Sequence, residues 1–137
     1  MKTKTFTYFK LPQEAWFDEQ EMEIALPADW EIFFADIPAD SLPVLSDEEI
    51  EERLSQPIGT KTLSELARNR QRAVIIFDDL SRPTNAAQIA PRVIRELLKA
   101  GIREENISFV AALGAHGAVN RLDFEKKLGR EIVETYP

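Results

Sequence analysis

The 137 residues include 44% hydrophobic and 30% charged side chains, enough for one domain with a buried core, and no apolar run approaches the roughly 20 residues of a membrane helix. Cysteine is absent and histidine occurs once, as His116, which excludes disulfides, thiolate chemistry and cysteine-ligated clusters and leaves one imidazole, too few for a metal site. The formal charge of −7 excludes broad nucleic-acid binding, whose affinity comes from Lys and Arg on phosphates, while a local pocket for a small anion stays open.

The N-terminus has two lysines but no apolar core behind them, so it does not read as a secretory signal and the expected location is cytoplasmic. Residues 4–10, KTFTYFK, alternate polar with apolar side chains, and EMEIALP and DWEIFFADI are two more β-rich runs joined at Pro-Ala-Asp. An N-terminal hairpin or small sheet is expected. Residues 36–45 hold Pro38 and Pro43, which remove backbone donors and imply an extended connector. Ser46 followed by Glu49 is a capping box that opens a short acidic helix ending near Gln56-Pro57, with the run from Asp47 to Glu52 as a solvated face.

Thr62 and Glu65 repeat that device, with Leu63, Leu66 and Ala67 on one face, and lead into AVIIFDD, a buried strand. Asn85 suits the cap of a further helix, with Ile89, Val93, Ile94 and Leu97 at helical spacing and Gly101 at its stop. NISFVAAL, residues 106–113, is the next strand, so strand, helix and strand form a βαβ unit with two neighbouring parallel strands. A helix over 121–129 stops at Gly129, and REIVETYP reads as the start of a third strand. Trp16, Trp30, Phe33, Phe34 and Phe109 read as core or edge packing. The expected fold is α/β: an N-terminal β-hairpin followed by Rossmann-like βαβ units around a parallel sheet, incomplete at the C-terminus. Residues 1–45 would form the β-rich opening and connector, and 46–137 the helices and βαβ core.

Ligands of parallel sheets sit beyond the carboxyl ends of the strands. Two unusual loops fall there: Asp78-Asp79-Leu80-Ser81-Arg82-Pro83-Thr84, and Gly114-Ala115-His116-Gly117. Arg82, the hydroxyls of Ser81 and Thr84, and the amides opening the next helix would suit a phosphate or carboxylate. Asp79 could accept from a ligand hydroxyl or orient Arg82 or His116. Glycines at 114 and 117 relax the backbone around His116, whose imidazole can act as general acid or base near neutral pH. A plainer account gives Asp and Ser the role of helix caps, pairs Arg82 with Asp78 or Asp79, and leaves His116 a surface residue.

DLSRPTN, residues 79–85, resembles the Asp-x-Ser/Thr-Arg-Pro motif of the lactate racemase family, and AALGAHG, residues 111–117, is similar to that family's Gly-x-His loop. ALP, QPIG, LSELA and KKLG follow the family's order as well, so the resemblance runs over nearly the whole chain. It implies an α/β domain with the active site in a cleft facing a second domain. The implied reaction interconverts the stereoisomers of a small 2-hydroxy acid by shuttling a hydride through a nickel-pincer nucleotide. His116 would then remove the hydroxyl proton, Arg82 would contact the substrate carboxylate or nearby cofactor, and Asp79 and Ser81 would line the cofactor side, with Thr84 and Gly114 in the same binding wall.

The family's better-known members carry Arg after this histidine where this chain has Gly117, which leaves the particular hydroxy acid open. The second catalytic histidine, the lysine that tethers the cofactor and the nickel-ligating histidine belong to a later part of the family's sequence. The chain is therefore expected to be the N-terminal fragment of a racemase-like enzyme, inactive without its C-terminal remainder. The competing expectations are a non-catalytic module for a small anion or nucleotide, and a purely structural domain.

Overall fold

The computed structural model describes residues 5–12, 20–35 and 42–136. Contacts divide the chain into two compact units, Met1–Val44 and Leu45–Pro137. In the first, β1 (Phe6–Pro12) and β2 (Glu21–Pro27) form an antiparallel hairpin with Phe6 opposite Pro27 and Pro12 opposite Glu21. The expected strand in DWEIFFADI does not form over residues 31–35. After the Trp30 amide donates to the Pro27 carbonyl at 3.1 Å, the chain leaves the ladder, and Phe34 returns to the hairpin only through its ring, 5.3 Å from that of Phe9. Trp30, Phe33 and Phe34 are exposed rather than core. Trp16 and residues 36–41 of the connector lie outside the described residues.

The second unit contains the α/β core. Its first two helices start where local chemistry dictates: α1 (Asp47–Ser55) and α2 (Leu63–Ala67) both carry complete capping boxes, Ser46 with Glu49 and Thr62 with Glu65. The acidic side of α1 is not merely solvated, because Asp47 and Glu51 pair with Arg92 and Arg95 of α3 (Ala86–Lys99). In α2 the apolar face is narrower than expected: Ala67 is buried and Leu66 exposed.

Strands β3 (Ala73–Asp78) and β4 (Ile107–Ala112) are parallel neighbours, with Ala73 opposite Ile107 and Asp78 opposite Ala112. The α3 helix joins them and is capped by Asn85, whose side chain accepts from the Gln88 amide. Its buried stripe is Ala86, Ala90, Ile94 and Leu97, while Ile89 of the expected stripe is exposed. Pro91 removes one rung of the ladder, yet the helix continues because that stripe stays against the sheet.

The stop of α3 is a Schellman motif. Gly101 at φ +93° donates to the Leu98 carbonyl, and Ile102 donates back to Leu97. Ile102 and Leu97 then bury together with Ile107, which is fully buried. Each such side chain contributes about 1.5–3 kcal/mol over exposure.

After β4, α4 (Arg121–Leu128) is capped by Asn120 with Asp123 and ends at Gly129, φ +88°. The expected third strand is instead a helix, α5 (Arg130–Thr135). The β-branched run REIV favours a strand locally, but helical spacing places Ile132, Val133 and Tyr136 on the core together, with the Tyr136 ring 5.7 Å from Phe109. Packing overrides propensity here. The sheet thus has two strands with one covered face. Phe77 lies on that face, while Val74 and Ile76 stand 57% and 70% exposed on the other. Among the described residues, no helix is long and apolar enough to cross a membrane.

Candidate active site

The parallel register brings Asp78 and Ala112 side by side at the carboxyl ends of β3 and β4, so the loops that follow must meet. In the first loop, the Asp79 side chain shapes its own turn. Its Oδ1 accepts from the Ser81 amide at 2.8 Å and from the Ser81 hydroxyl at 2.6 Å, and the Arg82 amide closes the turn on the Asp79 carbonyl at 3.2 Å. In the second loop, the His116 amide donates to the Leu113 carbonyl at 3.0 Å across a turn that holds Gly114 at φ +58°, a conformation that favours glycine. Gly117 does not need the left-handed region.

These turns place His116 Nδ1 on Asp79 Oδ2, a contact between residues 37 apart in sequence. Asp79 is 7% exposed, whereas half of the His116 side chain is open to solvent. The Ser81 hydroxyl, the His116 contact and the Ser81 amide together hold the Asp79 carboxyl down at about 2. It is an anion at any ordinary pH. A nucleophilic triad would need the hydroxyl at Nε2 and the carboxylate at Nδ1. Here Ser81 shares the Nδ1 side and gives its proton to Asp79, so it is not an activated nucleophile.

A cleft of about 270 Å³ opens between the loops, lined by Asp78, Asp79, Arg82, Gly114 and His116 with neighbouring backbone. Arg82 is exposed, and its guanidinium has no ion-pair partner among the described residues. Of the residues expected in one binding wall, Asp79, Arg82, Gly114 and His116 do meet in this cleft, and Ser81 supports it through Asp79. Thr84 does not. Its hydroxyl donates to Asp78 at 2.6 Å, and it lines a separate apolar groove with Ile76 and Ile89. Asp79 and Ser81 do not cap α3 either, since Asn85 does.

Sequence reasoning passed over Lys127. This lysine is 1% exposed, and its ammonium reaches Asp78 at 2.7 Å and the Arg82 carbonyl at 2.9 Å, fastening the loop that carries Arg82 to α4. Burial raises the Asp78 carboxyl, and the hydrogen bonds from Lys127 and Thr84 with the lysine charge outweigh it, so Asp78 lies below the usual carboxylate range. A signal was present: Lys127 lies three residues after Phe124 and directly before Leu128, on the buried side of α4. Among the described residues there is no group of three or more His, Cys, Asp or Glu side chains able to hold a metal ion.

Residues 17–137 match the family model described as the lactate racemase N-terminal domain. The chain belongs to this family. A curated lactate racemase of Thermoanaerobacterium thermosaccharolyticum is 33% identical over 91 residues, covering 66% of this chain and 21% of that protein. The lactate racemase of Lactiplantibacillus plantarum is 34% identical over 90 residues, covering 65% of this chain and 21% of its own. The solved lactate racemase apoprotein of the Thermoanaerobacterium species superposes with a TM-score of 0.63 at 25% identity, covering 95% of this chain and 29% of that one. The chain thus spans about a fifth of the length of the curated relatives it matches.

Proposed function

We propose that this chain is the substrate-facing N-terminal part of a lactate-racemase-like enzyme that interconverts the stereoisomers of a small 2-hydroxy acid. The observation that carries this reading is the cleft that holds Arg82, without an ion-pair partner among the described residues, beside His116, whose Nδ1 is occupied by a buried carboxylate. Arg82 offers a planar fork of donors for the substrate carboxylate. His116, half open to the cleft, would take the hydroxyl proton and return it. The hydride acceptor implied by the resemblance is a nickel-pincer nucleotide, and the described residues offer no ligand set for its metal. Lys127 is committed to Asp78 and buried, so it does not serve as a tether. The part left to this chain is the substrate's carboxylate and its hydroxyl proton.

A partner for the cleft is part of the proposal. The relatives are several times longer, and the exposed apolar sheet face of Val74, Ile76 and Val110 is a surface that a C-terminal remainder would cover. The alternative, an anion-binding module without chemistry, uses the same Arg82 and the same cleft.

Isothermal titration with sulfate, phosphate, nicotinate mononucleotide and D- and L-lactate tests the anion half of the site. Binding should be weak and should fall at least tenfold in Arg82→Ala. Binding that is unchanged in Arg82→Ala would remove Arg82 from the site and end this reading. If His116→Gln leaves the binding of both lactates and phosphate equally intact, with no preference for a hydroxy acid, the plain anion module is the better account.

A further inference from the structure

We propose that Asp79 and Ser81 act together as a positioning pair that fixes His116 in its Nδ1–H tautomer, so that Nε2 is the ring nitrogen that exchanges a proton with a ligand. This deepens the acid–base reading of His116 and rests on it for its functional meaning.

Two side chains approach Nδ1, the Asp79 carboxylate through Oδ2 and the Ser81 hydroxyl at 3.5 Å. The carboxylate is ionised and can only accept. The Ser81 hydroxyl hydrogen is already given to Asp79 Oδ1 at 2.6 Å, so toward Nδ1 the oxygen presents lone pairs. With acceptors as its neighbours, Nδ1 must carry the hydrogen. A neutral imidazole has one N–H, so Nε2 holds the lone pair, and it has no hydrogen-bond partner among the described residues. Nε2 is then the base, and after it takes a proton the buried carboxylate faces an imidazolium. Asp79 acts only through His116 and is a positioning residue.

Ser81 gives the inference a sharp test, because its amide and hydroxyl both donate to the same oxygen of Asp79. In Asp79→Asn those two donors would hold the amide oxygen at the Oδ1 position, which forces the NH2 group to the position of Oδ2. That NH2 would donate to Nδ1, and the ring would have to invert to the Nε2–H tautomer. This consequence does not follow from a carboxylate that merely packs beside the histidine.

His116 is the sole histidine of the chain, so its ring nitrogens give one unambiguous set of signals in ¹⁵N multiple-bond NMR of the whole protein. Above the imidazole titration, the native protein should show a pyrrole-like Nδ1 and a pyridine-like Nε2. Asp79→Asn should exchange the two signatures, and adding Ser81→Ala should leave them exchanged, because the residue-81 amide still donates to the same oxygen. A native spectrum of the Nε2–H form, or of two averaged tautomers, overturns the proposal without any variant having to fold. So does an Asp79→Asn protein that folds, by its amide spectrum, and keeps Nδ1–H. Failure of the anion titration with the tautomer result intact would leave the pair standing and overturn the anion-binding role of Arg82 instead.

Discussion

Lys127→Met removes the ammonium that joins Asp78 to the Arg82 carbonyl while keeping a side chain of similar length. Breaking a fully buried ion pair by deleting one partner costs about 3–5 kcal/mol. Here the lysine is 1% exposed but the Asp78 side chain is 33% exposed, so water partly re-solvates the orphaned carboxylate and the expected cost falls to about 2–3 kcal/mol. At about 3–5 °C per kcal/mol for a chain of this size, that lowers Tm by roughly 6–15 °C.

The converse, Asp78→Asn, should cost more, because it leaves the fully buried partner, the cation, without its carboxylate. The double variant Lys127→Met with Asp78→Asn should be less destabilised than the sum of the singles, since neither charge is then stranded. Urea unfolding of the four proteins measures the cycle. Lys127→Met within about 0.5 kcal/mol of the parent, or additive singles, would show that the bridge does not fasten the loop and would refute the reasoning.

Two further outcomes follow from other parts of the fold. Gly101→Ala should lose about 1–2 kcal/mol of unfolding free energy measured in urea, because φ is +93° there and an added Cβ meets nothing within 4 Å, so the loss is backbone strain alone. Asp79 has a folded value of about 2, below that of an unfolded aspartate, so its contribution to stability is full above about pH 4 and disappears as pH falls toward 2. The urea midpoint of the native protein should fall across that window more steeply than that of Asp79→Asn, and parallel curves would contradict it.

Local chemistry was legible in the sequence. Ser46 with Glu49, Thr62 with Glu65, Asn85 and the Gly101 stop all act within a few residues of themselves, and each is in place. The parallel pairing of β3 with β4 was legible because a strand, one helix and a strand leave little choice. What escaped depends on distance. The last segment has strand-like residues, and only the core waiting for Ile132 and Tyr136 makes it helical. Continuous apolarity in β3 reads as burial on two faces, yet one face stays open. The Lys127 bridge spans 45 residues to Arg82, so the position of the lysine on the buried side of α4 hints at its burial but not at its partners. The pairing of Asp79 with His116 was one of several options for Asp79, and the Ser81 turn selects among them.

The adjacent aspartates at the end of β3 illustrate how a sheet builds a site. Asp78 is the last residue of β3 and Asp79 the first of the loop that follows, and the two find different partners although they are chemically identical. Asp78 turns toward Lys127 and Thr84 and anchors the backbone that presents Arg82. Asp79 turns toward Ser81 and the neighbouring loop and meets His116. The two roles are separable by experiment. Asp78→Asn should lower the urea midpoint while the Nδ1–H signature of His116 persists, because nothing that touches the ring has changed. Asp79→Asn should invert that signature while the Lys127 bridge remains. If one substitution produced both effects, the loop would be a single cooperative unit, and the assignment of one carboxylate to fastening and the other to the histidine would fail.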